Sequence, residues 1–367
     1  MLVKEILEDV YLIRTPEFPF FENTYLVRLG GKKRKINLII DPSPLEYFND
    51  LVLVIKDIIG KIEDLDIVYV NHQDPDLTSS VPGLLSMNKD AVLITSEDTW
   101  RLMKSYGIEK ERYQPVEHFP NRRLNLDSGE FLEFVPTPFC HFRGAAALYL
   151  PSKKILFSGD LFAGLSTKNT DDIFADKNSW AGIKAFHQIY MPSKPALVNA
   201  IDNIGRLSPL PEIIAPQHGD IIKGDLIIDF SKRINDLEVG LEYIQDMEKK
   251  KDLYIYAFNE IYQCCKERLG EEFVREKVHS INSNSSFPEL VQFENDVAID
   301  FRVPIQSVFE LMYLSFIEGL NDKEKDQVKS DIIRIFAKYN LEVPETFYEE
   351  RSTIFDAFKR ITNLFRR

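Results

Sequence analysis

The chain has 367 residues, 44% of them hydrophobic and 28% charged, which is the balance of a globular protein long enough for two domains. Its formal net charge of −13 disfavours nucleic-acid binding because the protein repels phosphates, and it contains no run of about 18 uncharged apolar residues that would predict a membrane span. The three cysteines, Cys140, Cys264 and Cys265, have no paired spacing, so we expect no disulfide framework and a reducing, cytoplasmic location.

The first part of the chain is rich in predicted strands. Short apolar runs predict strands at residues 10–14 and 24–27 and in the segments INLIID, IVYVN, AVLIT, FLEFV, AALYL, KILFS and EIIAP. Between them, helical patterns cover Tyr47–Gly60, Ser96–Tyr106 and Lys194–Ile204. Strands mixed with helices in this way indicate a layered α/β fold.

From about Phe230 the strand signals fade and helical spacing takes over. Apolar residues recur at helical intervals in two sets, Val328, Ile332, Ile335 and Phe336, and Ile354, Phe358, Ile361 and Phe365. The segment VPIQSVFELMYLSFIEGL predicts a further helix, HSINSNSSFPE predicts a loop, and the charged stretch Asp236–Lys251 predicts a connecting helix. We therefore predict two domains, one over residues 1–245 and a mostly helical one over residues 246–367 that serves dimerisation or signalling.

Six side chains that can bind metals each fall just after a predicted strand. They are His72, Asp74, Asp76, His141, Asp160 and His218. Imidazoles and carboxylates gathered from several strand ends are what a two-metal site requires. Within the segment NHQDPDL, alternate residues can face one cavity. Gly159 lets the backbone turn sharply before Asp160.

Taken singly, each of these residues has a simpler interpretation. A lone histidine near a strand end is more often a surface or capping residue, and Asp74 before Pro75 is typical of a turn. The same strand-then-ligand pattern, repeated four times, favours one joint site. Asp41, at the end of INLIID, is expected to orient a ligating imidazole. The pattern is missing at the other histidines, which are His118, His187 and His279.

The first cluster, HQDPDL at residues 72–77, resembles the metallo-β-lactamase family, whose hydrolases carry H-x-H-x-D-H followed by a distant His, Asp and His. The acid Asp74 in place of the second histidine is similar to the flavodiiron branch, which carries H-x-E-x-D-H. The HxDPD segment resembles a small subgroup of that branch, the oxygen-binding di-iron proteins without a flavodoxin domain. The resemblance covers about residues 1–245 and implies an α/β fold, the metallo-β-lactamase αββα sandwich.

The resemblance also implies a ligand set. One metal would be bound by His72, Asp74 and His141, the other by Asp76 and His218, with Asp160 bridging the two. Leu77 stands where the family usually has a histidine, and leucine cannot ligate, so the second metal should keep an open position for a small molecule. Mixed oxygen and nitrogen donors without a thiolate suit non-haem iron or manganese, and we expect two irons, with manganese or zinc as the alternatives.

The function that follows from the resemblance is oxygen binding. After residue 245 we find no strand–loop–helix segment of the type that holds FMN phosphate, so no FMN is expected in this chain. A di-iron site without its flavin is expected to bind O2 as a di-ferric peroxo species and to act as an oxygen sensor or carrier. The pocket residues expected to exclude water are Phe21, Tyr25, Trp180, His187 and Tyr190.

Two alternative functions stay open at this point. One is an O2 or NO reductase served by a separate electron donor. The other is a hydrolase with a bridging hydroxide on zinc or manganese, against which Asp74 counts. We further expect a homodimer, a signalling or redox partner protein, and no contact with a membrane.

Overall fold

The structure is a computed structural model that describes residues 1–241, 243, 248–283 and 289–347. The chain divides into two compact units, Met1–Tyr243 and Ile244–Arg367. Among the described residues, no helix has the length and apolar character needed to cross a membrane.

A seven-stranded sheet forms one layer of the first unit. Its strands, in spatial and chain order, are β1 (Leu2–Leu7), β2 (Val10–Arg14), β3 (Asn23–Leu29), β4 (Ile36–Ile40), β5 (Leu65–Tyr69), β6 (Val92–Thr95) and β7 (Tyr113–Pro115). The strands are antiparallel from β1 to β4 and parallel from β4 to β7. The switch to parallel pairing begins where helices start to connect the strands, as a parallel crossover requires.

A six-stranded sheet forms the second layer. Its strands are β8 (Arg123–Asn125), β9 (Phe131–Pro136), β10 (Ala146–Leu150), β11 (Ile155–Gly159), β12 (Ile213–Pro216) and β13 (Ile222–Lys223), in the spatial order β13-β12-β11-β10-β9-β8. All neighbours are antiparallel except β11 and β12, which run parallel. The carboxyl ends of β11 and β12 therefore meet at one edge of this sheet.

The core between the two sheets follows from side-chain alternation along the strands. Tyr25 and Val27 of β3 lie in an apolar cluster together with Phe157 of β11, so they face the second sheet. Leu26, between them, belongs to a different cluster that contains Leu51. Because successive side chains of a strand point to opposite faces, β3 contributes to two apolar layers.

Helices cover the outer faces of the sheets. They are α1 (Phe48–Ile59), α2 (Pro75–Thr78), α3 (Val81–Met87), α4 (Glu97–Met103), α5 (Ser179–Tyr190), α6 (Lys194–Gly205) and α7 (Asp225–Asp236). Leu51 of α1 and Leu84 of α3 pack with Leu26 on the outer face of the first sheet. On α6, Asn203 donates a hydrogen bond from Nδ2 to the carbonyl of Pro136 in β9. The result is the αββα sandwich that was predicted.

The second unit is mostly helical. It contains α8 (Lys251–Leu269), α9 (Glu271–Asn282), α10 (Ile305–Ile317), α11 (Asp322–Lys338) and a hairpin of β14 (Val291–Glu294) and β15 (Val297–Phe301). The hairpin was not predicted. Its signal is the pair Asn295 and Asp296, both at positive φ, which suits the two-residue turns that join antiparallel strands.

Two of the predicted boundaries in this region are wrong. The connecting helix over Asp236–Lys251 is not continuous, because α7 ends at Asp236 and residues 237–239 are not helical; residues 242 and 244–247 lie outside the described part. The first four residues of the predicted loop HSINSNSSFPE are helical, since α9 continues to Asn282. Residues 284–288 of this segment lie outside the described residues. The apolar set from Ile354 to Phe365 also lies outside the described residues.

Candidate metal centre

The ends of three strands place three of the predicted side chains together. His72 follows β5 after two residues, Asp160 directly follows β11, and His218 follows β12 after one residue. The backbone N–H of Gln217 donates to the carbonyl of Gly159, which ties the two parallel strand ends side by side. The two sheets thus present polar side chains at a shared edge, where a strand end leaves room for a ligand.

Two carboxylates come from the short helix α2. Asp74 is the residue before Pro75, and Asp76 is the second residue of the helix. Asp74 makes no side-chain capping bond to α2, so the turn interpretation does not account for its side chain. Its Oδ2 faces imidazole nitrogens instead.

One side of the centre, here called the His141 side, consists of His72, Asp74 and His141. Asp74 Oδ2 lies 2.9 Å from Nε2 of His141 and 3.5 Å from Nε2 of His72. Oδ2 of Asp160 lies 3.1 Å from Nε2 of His141 and 3.3 Å from Nε2 of His72. Two imidazoles and two carboxylates therefore converge on one point.

The other side, here called the His218 side, consists of Asp76 and His218. Nε2 of His218 lies 3.2 Å from Oδ2 of Asp76 and 3.7 Å from Oδ1 of Asp160. Asp160 thus turns one oxygen to each side, which is the placement that a bridging carboxylate needs.

Backbone and amide groups orient the imidazoles. Nδ1 of His72 pairs with Oδ1 of Asn71 at 3.1 Å, and Nδ1 of His218 donates to the carbonyl of Phe21 at 3.1 Å. Both rings therefore present Nε2 to the carboxylates, as an imidazole held by a hydrogen bond on its other nitrogen does. Asn71 was missed in the sequence, where it reads as the polar end of a strand.

Asp41, which we expected to orient a ligating imidazole directly, acts through Asn71 instead. Its Oδ1 accepts the backbone N–H of Asn71 at 2.7 Å, and it is Asn71 that contacts the imidazole of His72. Burial raises the pKa of Asp41 to about 7, although the Asn71 N–H and His72 oppose this rise. Gly159 leaves room for the side chain of Asn71, because the Cβ of any other residue at this position would lie 2.2 Å from Cγ of Asn71.

Ion pairing decides the protonation of the metal-free centre. Burial disfavours a charged His141, but hydrogen bonds to Asp160 and Asp74 raise its pKa to about 9. The pKa of His72 is also raised well above its ordinary value by the same carboxylates, against burial. Burial opposes the charge of Asp74 and Asp160 too, yet the imidazoles hold the pKa of both carboxyls well below the usual range. Asp74 and Asp160 are therefore ionised and can bind a cation.

The residues fit a group of divalent metal ions. Donor atoms of His72, Asp74, His141 and Asp160 all lie within 4.8 Å of one another. Oδ1 of Asp160 is buried and has no hydrogen-bond partner among the described residues. A buried carboxylate oxygen without a partner costs free energy unless a proton or a cation meets it. Oxygen and imidazole donors suit iron, manganese and zinc.

The centre is open on one flank and closed on the other. The side chains of Asp74, Asp76 and His141 keep 32%, 26% and 21% of their surface exposed. His72 and His218, in contrast, are buried. A small molecule can therefore approach from the α2 and His141 flank.

Aromatic rings close the buried flank. Phe20 stacks on the ring of His218 with centroids 4.1 Å apart, and Phe186 lies 5.5 Å from the same ring. Tyr190 lies 5.6 Å from the ring of His141. Of the pocket residues expected from sequence, Tyr190 is thus beside the centre, whereas Phe20 and Phe186 were missed.

The other predicted aromatic residues lie elsewhere. Tyr25 lies in the core between the sheets, because its position on β3 turns it inward, and its hydroxyl donates to the carbonyl of Pro216. Trp180 packs against Phe230. Phe21 contributes its backbone carbonyl to His218 rather than its ring. These side chains support the fold around the centre but do not line it.

His187 is a buried structural histidine rather than a pocket residue. Its Nδ1 donates to the carbonyl of Ile183 and its Nε2 accepts the N–H of Phe162, two residues after Asp160. Burial lowers its pKa to about 4, so it is neutral. It fixes the turn that follows Asp160.

Two side chains close to the ligand positions in sequence turn away from the centre. Cys140 points away from it, since its Sγ donates to the carbonyl of Ala196 at 3.7 Å. Leu77 is fully buried in the apolar cluster on the outer face of the first sheet. Leu77 therefore does not face the centre and supplies no donor to it.

Two further residues at the centre were missed. Gln217 donates from Nε2 to Oδ2 of Asp76 at 2.8 Å and so positions that carboxylate. Glu22 is buried and pairs through its backbone with His218. Its signal in the sequence is an acid at the end of the aromatic run PEFPFFEN.

The family is shown by a model that matches more than half of the chain. The model described as ODP family beta lactamase matches residues 20–219, which include all six predicted ligands. The chain belongs to this ODP family. Two solved structures of a chemotaxis sensor ODP, one described as its peroxy diiron species and one as the apo state from T. denticola, are 27% and 26% identical to this chain. They cover 67% of it and 99% and 97% of their own chains, with TM-scores of 0.54 and 0.55.

Curated relatives outside these structures are longer. The chain is 26% identical to a protein of Methanocaldococcus jannaschii over 72% of its own length and 64% of that protein. It is 23% identical to a nitric oxide reductase of Moorella thermoacetica over 55% of its own length and 50% of the reductase. The predicted metallo-β-lactamase family and its ODP branch are confirmed, and the chain spans about half to two thirds of the length of these curated relatives.

Proposed function

We propose that this chain binds dioxygen at a non-haem di-iron site and acts as an oxygen sensor or carrier. The observation that carries the proposal is Asp160, whose two oxygens face two separate groups of imidazole and carboxylate donors. The likeness to a chemotaxis sensor whose structure is described as a peroxy diiron species supports the same assignment.

The geometry of the two sides supports the ligand roles that the family resemblance implies. His72, Asp74 and His141 would hold one iron, Asp76 and His218 the other, and Asp160 would bridge them. Three carboxylates and three imidazoles are hard and borderline donors, which suit iron or manganese as well as zinc. The excess of carboxylate over a purely imidazole site favours iron, because negative charge stabilises its higher oxidation state.

The residues around the ligands suit ligand binding. When bound, the two irons would supply the electrons that hold O2. Phe20 and Phe186 cover the buried flank of His218 and exclude water from it. The exposed edges of Asp74 and His141 leave a way in for a diatomic molecule.

The test is to load metal-free protein with ferrous iron without oxygen and then to admit air. We expect about two irons per chain and a new visible absorption band on mixing with O2, which decays when O2 is removed. Zinc-loaded protein is the control and should show no band. Absence of a band from protein that holds two irons would contradict the proposal.

One other function is favoured by a specific observation. The Moorella relative is named a nitric oxide reductase, and this chain covers half of it. A reductase would consume O2 or NO continuously when a separate flavoprotein or rubredoxin-like electron donor is added. We expect slow consumption instead; rapid turnover with such a donor would make the reductase the correct assignment.

The helical unit is proposed to serve dimerisation or signalling. Its core is aromatic and well packed, with Phe309 against Phe258 and Phe336. Sedimentation of the iron-loaded protein with and without O2 tests the proposal. We expect a dimer whose sedimentation changes with O2, and an unchanging monomer would contradict both roles.

A further inference from the structure

The two sides of the metal centre are unequal in donors. The His141 side has three side chains of its own, whereas the His218 side has only Asp76 and His218 among the described residues, and both share Asp160. Leu77 cannot make up the difference, because it is buried in an apolar cluster on the outer face of the first sheet. The His218 side is therefore one donor short of its neighbour.

A further buried carboxyl group, that of Glu22, lies on the segment that pairs with His218. Glu22 and His218 form an antiparallel β-bridge. Residues directly opposite each other in an antiparallel pair send their side chains to the same face, with Cβ atoms about 5 Å apart. Bonds on both sides fix this register, since Asn23 N–H donates to the carbonyl of Gln217 and Nδ1 of His218 donates to that of Phe21.

The carboxyl group of Glu22 is buried and is not fully paired within the described residues. The residue is 4% exposed, and its Oε2 is buried without a hydrogen-bond partner among the described residues. The nearby cation Arg14 does not serve it, because Arg14 bonds to Asn23, to the carbonyl of Gly219 and to Asp220. A buried carboxyl without a partner is costly and needs a reason.

We propose that Glu22 supplies a carboxylate ligand to the metal ion on the His218 side. The proposal rests on the di-metal centre of the proposed function and adds one oxygen donor to it. With Glu22, each side has three side chains of its own together with the shared Asp160, and both are rich in the oxygen donors that iron and manganese accept.

The experiment is a titration of metal-free protein with Co²⁺ alone, read by equilibrium dialysis and by the visible absorption of bound cobalt. Wild type should bind two ions. Glu22→Gln, which keeps the size of the side chain but removes its charge, should bind the first ion unchanged and the second at least about tenfold more weakly. The cobalt spectrum of the second ion should change, since it loses a ligand.

Controls separate this inference from the proposed function. Glu17→Gln makes the same chemical change in the same segment, five residues before Glu22, and should bind both ions normally. Thermal unfolding of the metal-free variants, expected to be no lower for Glu22→Gln than for wild type, shows that folding is intact. Two ions in wild type with an unchanged second affinity and spectrum in Glu22→Gln would overturn the role of Glu22 alone. A wild type that binds fewer than two ions would instead overturn the di-metal proposal.

Discussion

The His141 side and the His218 side of the centre are built in different ways. On the His141 side, the imidazoles of His72 and His141 each face both Oδ2 of Asp160 and Oδ2 of Asp74. On the His218 side, Asp76 is held by an amide, Gln217, and His218 approaches Asp160 more loosely, at 3.7 Å. One bridging carboxylate can therefore join a tightly assembled metal site to a second site whose ligands depend more on neighbours such as Gln217.

The largest effect is expected from removing the bridge. Asp160→Ala takes one donor from each side, so both metal affinities should fall by more than about 100-fold, beyond the loss typical of supporting groups. Metal-free protein should also lose about 3–5 kcal/mol of stability, because buried imidazoles lose their ion-pair partner. Elemental analysis and denaturant unfolding measure the two effects. Retention of either metal at full affinity would show that Asp160 does not bridge.

The next effect separates the two sides. His218→Ala should leave one ion bound with unchanged affinity, whereas His141→Ala should leave only the weaker site, because each imidazole belongs to one side. Equilibrium dialysis counts the ions and gives both affinities. His118→Ala is the control, since His118 is exposed and pairs with Glu97 away from the centre. Equal losses of metal affinity at both sites in the two variants would show that the two histidines do not belong to separate metal sites.

A backbone change tests the support of the His141 side. In Gly159→Ala the new Cβ would meet Cγ of Asn71 at 2.2 Å, at a φ of +60°, so Asn71 must move away from His72. We expect a loss of metal affinity of about 10–100-fold on this side. Asn71→Ala should give a similar loss, and the double variant should lose little more. Gly205→Ala, whose Cβ meets no atom within 4 Å, is the matched control.

A change at Leu77 tests whether this position can supply a ligand to the metal on the His218 side. Because Leu77 packs in the apolar cluster, Leu77→His should cost about 2 kcal/mol of stability for burying an unpaired polar ring and should not add a ligand. Leu77→Met, which conserves volume, should cost less. Urea unfolding and Co²⁺ titration are the measurements. Tighter binding of the second ion without a loss of stability would show that this position does face the metal.

The most gradual effect is that of pH. The carboxylates raise the pKa of His141 to about 9 against burial, so at neutral pH the metal-free imidazole is protonated and a metal must displace that proton. The contribution of His141 to metal affinity on this side should rise by up to about tenfold per pH unit and flatten above about pH 9. His141→Ala should reduce the slope. The same shift stabilises metal-free protein fully below the ordinary pKa of histidine, and this stability is lost as pH rises through about 9.

Much of the site could be predicted because ligand type and strand position are local properties. The short apolar runs gave the strand ends, and the metal donors follow them directly, as at His72, Asp160 and His218. Tyr25 was misassigned because the face of a strand that a residue occupies is set by the sheet opposite, which no local pattern reveals.

Apolar runs along the chain predicted a layered α/β fold, and the resemblance to the metallo-β-lactamase family implied its two sheets. The types of the six donor residues indicated the chemistry of the site. Which neighbouring residues orient or add to those donors became clear only from the folded structure. Asn71 rather than Asp41 holds His72, Leu77 faces the core, and Glu22 comes to stand beside His218. Pairings between segments about 200 residues apart are fixed by backbone hydrogen bonds and packing, and neither leaves a mark in the spacing of residues along the chain.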